Sequence, residues 1–162
     1  AHCPVMVIRP PDRPPPDQGP VMVGVDGSPE CVPALAFAAD EAARRGSTLT
    51  VVHAWHVDAF HHKADTYAGV EAACRAAATA LVADAAATAR RQSPGLAIEE
   101  RLVQTLNPEH ALVEASRGVA LVVVGSRGRG GFAGLVLGSV GQALLHHAMC
   151  PVVIAHPLGH RA

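Results

Sequence analysis

The sequence predicts an α/β fold, an open doubly wound parallel sheet of five strands with helices on both faces and one extra antiparallel edge strand at the N-terminus. Short apolar runs alternate with longer segments of helical spacing, and the length of 162 residues suits one domain. Strands that alternate with helices form parallel sheets through right-handed crossovers. Hydrophobic residues make up 49% of the chain and aromatic residues only 3%, so we expect a core of Val, Leu, Ile and Ala.

The first predicted unit is a strand followed by a helix. Residues 21–26 form a buried strand, and Ser28 caps a helix that carries Pro29 in its first turn and ends at Gly46. Pro33 removes a backbone donor one turn into this helix, which favours a late or irregular start.

The middle of the chain predicts two more strands around a long helix. Residues 49–55 form the second strand, residues 66–92 the helix and residues 96–103 the third strand. The acidic pair Glu99-Glu100 indicates an exposed edge for the third strand. The helix carries on its sheet-facing side Val70, Cys74, Ala77, Leu81 and Ala85.

The last part of the chain repeats the alternation of helix and strand. Asn107, followed by Pro108, caps a short helix that ends at Gly118. Residues 119–124 form a central strand, and residues 151–155 form the last one.

A glycine-rich loop follows the central strand and has the layout of a phosphate-binding loop. Gly125 and Gly128 are followed, after nine residues, by Gly138. Glycine has no Cβ, so the chain can turn tightly, with a positive φ as one option, and can approach a ligand closely. A strand that opens into such a loop and then into a helix allows backbone N–H groups to receive phosphates.

Charge and capping support the same interpretation. Ser139 is the predicted N-cap of a helix over residues 140–147, and Arg127 and Arg129 bring positive charge to the loop. A flexible surface loop rich in Gly and Arg is the alternative. The loop is not a P-loop, because no Gly-Lys-Ser or Gly-Lys-Thr closes it, and it lacks the repetitive character of an RNA-binding tail.

The segment Gly125-x2-Gly128-x9-Gly138-Ser139, between Val122-Val123-Val124 and Cys150-Pro151-Val152, resembles the ATP-binding signature of the universal stress protein family. Residues 21–29 and 49–55 are similar to the first two strands of that family, and the likeness extends from about residue 21 to residue 155. The resemblance implies the strand order 3-2-1-4-5, which places strands 1 and 4 side by side. It also implies membership of the ATP-binding branch and a role in the stress response.

Ligands of open α/β sheets bind at the carboxyl ends of strands where the winding direction reverses. The resemblance implies that ATP binds there, and whether Mg²⁺ accompanies it is left open. The implied binding residues are Gly24, Val25, Asp26, Ala54, Val124, Gly125, Arg127, Gly128, Gly138, Ser139, Val140 and Gly141. The alternative for Asp26 is a residue that caps the turn before Ser28 and Pro29.

Two of these residues depart from the family's pattern. Gly141 occupies a position where many members have a hydroxyl residue, so one hydrogen bond to phosphate is missing, at a cost of about 1.5–3 kcal/mol. Ala54 is smaller than the usual branched residue, so adenine would be held more loosely.

Composition excludes several other functions. The net charge of −1 argues against an electrostatic nucleic-acid binder, and no apolar run is long enough for a membrane span. The N-terminus lacks the order of a signal peptide, so we expect a cytoplasmic protein. The four cysteines have no zinc spacing and are expected to be reduced, and adjacent histidines such as His146 and His147 do not form a chelating site.

Three functional classes follow. The preferred one is an ATP-binding regulatory module that signals through a partner or a dimer. The second is a slow ATPase or phosphotransferase, although no base is evident besides Asp26, and no catalytic residue is assigned. The third is an interaction domain that binds no nucleotide.

The N-terminus contains an internal repeat. Residues 1–10 match residues 148–157 in register at Ala, Cys, Pro, Val and the final Pro. We expect residues 1–9 to be the last strand of a preceding domain of a tandem protein, followed by a proline-rich linker (10–20), the stress-protein domain (21–157) and a tail (158–162). Residues 4–8 would pair antiparallel with residues 151–155, in the same chain or in a neighbour. This pairing places Cys3 and Cys150 at opposite ends of the ladder, too far apart for a disulfide. A tag-like terminus is the alternative.

Overall fold

The computed structural model describes residues 3–8, 19–57, 64–128 and 137–156. The strands are β1 (Val5–Val7), β2 (Val21–Gly24), β3 (Leu49–Trp55), β4 (Ile98–Gln104), β5 (Leu121–Gly125) and β6 (Val152–Ala155), and the helices are α1 (Cys31–Arg45), α2 (Ala64–Gln92), α3 (Pro108–Ala115) and α4 (Ser139–His147).

The six strands form one sheet in the order β1-β6-β5-β2-β3-β4. Neighbouring strands are parallel except β1 and β6, which are antiparallel. Counted from residue 21, this is the predicted order 3-2-1-4-5. The predicted fold class, including the extra antiparallel edge strand, is therefore confirmed.

Helices cover both faces of the sheet because its central strands are apolar on both sides. One face packs against α1 and α2 through residues such as Val21, Val23 and Val51, and the other packs against α3 and α4 through Met22 and Val122. Helix α1 contributes four fully buried alanines, Ala34, Ala38, Ala39 and Ala42. Alanine adds little bulk, so the helix lies close to the sheet.

Helix α1 begins later than its predicted cap. A tight turn comes first, in which the Cys31 N–H donates to Ser28 O (3.1 Å), so the N-cap is Glu30, without a side-chain hydrogen bond. The prediction that Ser28 caps this helix is wrong. Pro33 is accommodated because it lies in the first turn, where N–H groups have no intrahelical acceptor. At the other end, Gly46 has the left-handed φ of 61° expected of a C-terminal glycine.

The central elements agree with the sequence to within a few residues. Strand β3 has the predicted bounds, whereas β4 is displaced by one to two residues and lies at the sheet edge with Glu99 and Glu100 exposed. Asn107 caps α3 as predicted, since its side chain accepts from the His110 N–H at 2.9 Å. The buried side of α2 is centred one position beyond the predicted face, on Ala78, Val82, Ala86 and Ala89.

Strand β1 pairs with β6 in a register that has local two-fold symmetry. The ladder joins Val5 to Ile154, Met6 to Val153 and Val7 to Val152. In the internal repeat, Val5 is equivalent to Val152 and Met6 to Val153. Val5 therefore pairs with Ile154, the equivalent of Val7, and Val7 pairs with Val152, the equivalent of Val5. The predicted antiparallel pairing is confirmed, and Cys3 and Cys150 are free thiols, as are the other two cysteines.

Some predictions concern residues that the structure does not describe. They are most of the linker (10–20), the last residue of the domain (157), the tail (158–162) and the loop residue Arg129. Within the described ranges, no helix is long and apolar enough to cross a membrane. In the same ranges, no group of three metal-ligating side chains converges.

Candidate functional site

The candidate site lies at the carboxyl edge of the sheet, where β2 and β5 end side by side. Asp26 follows β2, and Gly128 follows β5. An ideal Cβ placed on Gly128 would lie 2.3 Å from Asp26 Oδ2, so the carboxylate rests directly on the glycine. The structure thus brings together the acidic turn and the glycine-rich loop, as the sequence predicts.

The Asp26 carboxylate is held by the turn that follows it. Its Oδ1 accepts from the Ser28 N–H at 3.0 Å and from the Cys31 thiol at 2.8 Å. The Asp26 N–H donates to Cys31 Sγ at 3.2 Å. The alternative interpretation, that Asp26 caps its own turn, is therefore also correct, because one carboxylate oxygen caps the turn while the other lies on the loop.

No pattern in the sequence places Cys31 in this site. Its only local signal is that it comes five residues after Asp26, at the start of a helix. Burial raises the pKa of the Cys31 thiol above its usual range, and the adjacent Asp26 carboxylate raises it further. The thiol is therefore protonated at neutral pH and can act as a hydrogen-bond donor.

The two ends of the loop meet in space. The Gly138 N–H donates to Ser126 O at 2.9 Å, and a Cβ on Gly138 would lie 3.6 Å from Arg127 Cα and 3.7 Å from Gly128 N. The glycines on the two sides of the nine-residue interval therefore form one compact surface. Arg127 is exposed beside it.

Helix α4 starts from this surface, but not with the predicted cap. Gly138 is the N-cap, because it is extended (φ −74°, ψ 164°) and its carbonyl accepts the first intrahelical bond from the Gln142 N–H at 3.0 Å. The prediction that Ser139 is the N-cap is wrong. Ser139 is the first helical residue and is exposed, so its hydroxyl and the first-turn N–H groups lie at the loop.

Gly141 is a packing position. It is buried, and a Cβ there would lie 2.7 Å from Leu137 Cδ1. The Leu137 side chain occupies the space that a hydroxyl side chain would need. A side chain at position 141 would therefore require Leu137 to move.

The remaining predicted residues form the floor of the site. A Cβ on Gly24 would lie 2.8 Å from Leu112 Cδ2 and 3.1 Å from Val124 Cγ1, so α3 covers this glycine closely. Val25 is buried, and its carbonyl accepts from His53 Nδ1 at 2.7 Å. The half-buried members of this floor are Ala54 and Val140, which pack on the core beneath α3 and α4.

Position 125 requires glycine because the main chain of Glu30 approaches it closely, and not because of backbone strain. A Cβ there would lie 2.6 Å from Glu30 O and 3.2 Å from Glu30 Cβ. The positive-φ glycines of the described residues are Gly27, Gly46, Gly95 and Gly118, so a positive φ is not the reason for glycine at positions 125, 128 and 138. The contact also brings a second acidic residue, Glu30, to this edge of the sheet. No pattern in the sequence indicated that Glu30 lies here.

A sequence model of the universal stress protein family matches residues 19–156, which include every residue of this edge. The chain belongs to the universal stress protein family. A universal stress protein of Mycobacterium tuberculosis is 42% identical over 159 residues, which cover 96% of this chain and 52% of that protein. One from Mycolicibacterium smegmatis is 36% identical over 159 residues, which cover 97% of this chain and 52% of that protein. The chain spans about half the length of these curated relatives.

Solved structures of universal stress proteins share the fold. One, in complex with cAMP, is 29% identical with a TM-score of 0.64, and the match covers 85% of this chain and 97% of that one. UspA from Lactobacillus plantarum is 22% identical with a TM-score of 0.68 over 85% of this chain and 97% of that one.

Proposed function

We propose that this universal stress protein chain is a regulatory module that binds an adenine nucleotide, ATP in the first instance, at the carboxyl ends of β2 and β5. The observation that carries the proposal is the convergence of Asp26, Gly128 and Gly138 on one surface beside the start of α4. The complex of a related universal stress protein with cAMP supports the choice of an adenine nucleotide.

Each part of the surface suits one part of the ligand. The Asp26 carboxylate can accept hydrogen bonds from ribose hydroxyls or from the adenine amino group. Gly128 and Gly138 have no side chains to block a close approach of the ligand, and the start of α4 adds first-turn N–H groups and the positive end of a helix dipole. Arg127 and the Ser139 hydroxyl, both exposed there, are the side chains that we assign to the phosphates.

Binding is tested by identifying the nucleotide released from freshly purified protein and by thermal unfolding with ATP, cAMP and GTP, each with and without Mg²⁺. Ligand at 100 times its Kd stabilises the folded state by about 2.7 kcal/mol, which corresponds to about 5–10 °C for a domain of this size. We expect this shift with ATP and not with GTP. The absence of any adenine nucleotide and of any shift at millimolar ATP would refute the proposal.

The regulatory role and the slow ATPase are separated by phosphate release. A binding module releases phosphate at the background rate, with or without the Asp26→Ala change. Turnover well above background that is lost in Asp26→Ala would replace the regulatory module by the enzyme.

We further propose that β1 occupies the place of the last strand of a preceding stress-protein domain. The support is the two-fold symmetry of the β1–β6 ladder, in which the repeat-equivalent residues Met6 and Val153 face each other. A symmetric ladder of this kind is what two like domains form when they pair through the same strand. The partner of this chain is thus a second stress-protein domain, either joined to it or, where β1 does not cover β6, a second copy in a homodimer.

This pairing is tested by removing residues 1–9, which would uncover the edge of β6. We expect the shortened chain to form a dimer by light scattering, with β6 paired to its own copy, while the full chain stays monomeric at the same concentration. A shortened chain that keeps its circular dichroism spectrum and remains monomeric at high concentration would contradict the proposal.

A further inference from the structure

The Cys31 thiol occupies the centre of the turn that carries Asp26. Its sulfur accepts from the Asp26 N–H (3.2 Å), donates to Asp26 Oδ1 (2.8 Å) and lies 3.5 Å from Ser28 Oγ. The thiol is therefore hydrogen-bonded to both the main chain and the side chain of the same aspartate. Cys74, in α2, is also half-buried, but it packs in the small apolar cluster around Trp55.

These bonds determine where the other carboxylate oxygen lies. With Oδ1 held by the Ser28 N–H and the Cys31 thiol, Oδ2 is directed onto Gly128. The aspartate side chain has two torsion angles, and two donors on one oxygen restrict both of them. Without the thiol, Oδ1 loses one of these two donors, and the restraint on both torsion angles is weaker.

The chemistry of the thiol fits a donor and not a nucleophile. Because burial and the nearby carboxylate raise its pKa, Cys31 keeps its proton at neutral pH. A protonated thiol can donate one hydrogen bond and accept another, as observed here.

We propose that Cys31 is a positioning residue of the nucleotide site, whose S–H holds the Asp26 carboxylate against Gly128 in the orientation that receives the ligand. The effect of Cys31 on ligand binding rests on the proposed function, but the orientation of Asp26 is a property of the ligand-free protein. The orientation of Asp26 and the binding of nucleotide can therefore be tested separately.

The variants are chosen to separate the hydrogen bond from the volume. Cys31→Val keeps approximately the size of the side chain and removes the donor, whereas Cys31→Ser keeps a donor in the same place. Cys74→Val is the matched control, since it makes the same change at a half-buried cysteine that is remote from the turn.

The first measurement is the amide NMR spectrum of the ligand-free variants. We expect the Ser28 and Gly128 amide signals to shift in Cys31→Val, to return towards the wild-type positions in Cys31→Ser and to stay in place in Cys74→Val. An unchanged Gly128 signal in Cys31→Val would overturn the positioning role, whether or not the protein binds nucleotide.

The second measurement is the Kd for ATP in the same variants and in an Asp26→Asn background. We expect Cys31→Val to raise the Kd on the order of 10-fold and Cys31→Ser to raise it less than about 3-fold. In Asp26→Asn, the Cys31→Val change should have no further effect, because the group that it positions is already altered. An equal loss in both backgrounds would show that Cys31 acts independently of Asp26 and would overturn the proposal.

The two measurements distinguish the two proposals. A shift of the Gly128 signal without any ATP binding by the wild-type protein would refute the proposed function and leave the positioning of Asp26 established. ATP binding that is unaffected by Cys31→Val would support the proposed function and overturn the role of Cys31 in the nucleotide site.

Discussion

The contact between Asp26 and Gly128 predicts that Gly128→Ala destabilises the fold even without ligand. The new Cβ would lie 2.3 Å from Asp26 Oδ2, whereas ordinary contacts of a Cβ begin near 3.4 Å, so the carboxylate must move by about 1 Å. Such a movement weakens the bonds of Oδ1 with the Ser28 N–H and the Cys31 thiol. Hydrogen bonds to charged groups contribute about 1.5–3 kcal/mol, and water compensates part of the loss because Asp26 is only half-buried.

We therefore expect the free energy of unfolding to fall by about 1–2 kcal/mol and the melting temperature by about 2–8 °C. The assay is urea unfolding followed by circular dichroism, together with a thermal scan. Gly138→Ala is the matched control. Its Cβ would meet nothing closer than 3.6 Å, and its extended backbone accepts alanine. Alanine is a poorer N-cap than glycine, but it lowers the entropy of the unfolded chain, so the two effects offset each other and the stability should change little. Equal stability of Gly128→Ala and wild type, or an equal loss in both variants, would refute the reasoning.

Four further outcomes are expected. Gly138→Val should abolish ATP binding in calorimetry while the unfolding midpoint stays near that of the wild type; loss of folding would assign this glycine to backbone geometry. Ser139→Ala should weaken ATP binding about 10-fold or more without lowering stability, because its hydroxyl is not the helix cap. Asn107→Ala, which removes an observed cap, should cost about 1 kcal/mol in urea unfolding, and no loss would contradict the assigned cap. Burial raises the pKa of Cys150 from 9.0 to about 12. The folded state then holds the proton more tightly, so stability should fall as pH rises from 9 to 12, by roughly 1 kcal/mol per pH unit, and less steeply in Cys150→Val.

Regular elements were predictable where one local signal dominates. The apolar strand over residues 49–55 has its predicted bounds, and Asn107 followed by proline gives an unambiguous helix start. Helix α2 was placed correctly, but its buried face was off by one position. Alanines on nearly every side of this helix leave its apolar face poorly defined by the sequence.

The helix starts at the site were harder to predict. Ser28 and Ser139 both have the residue type of an N-cap, but the main-chain bonds begin at neighbouring residues, Glu30 and Gly138. Local propensity cannot separate such neighbours when the preceding loop determines where the first turn closes.

The contacts that shape the site come from distant parts of the chain. Glu30 packs against Gly125, and Asp26 lies against Gly128. These contacts depend on how two loops approach each other after the sheet has formed, and spacing along the sequence does not contain that information. The composition of the site was therefore predictable as a surface of glycines with one carboxylate, whereas the support of that carboxylate by Cys31 was not.

The position of β1 has a consequence for the order in which the protein assembles. Strand β1 joins the sheet beside β6, at the opposite end of the chain, and three residue pairs hold it there. From the unfolded state, closing a loop of that length costs about 3 kcal/mol more than closing a four-residue hairpin. Once the parallel sheet exists, only the short segment between residues 8 and 19 separates β1 from the folded domain. We therefore expect the strand to dock last and to detach first, so that the edge of β6 is exposed in brief local openings while the candidate site at the carboxyl edge of the sheet stays intact.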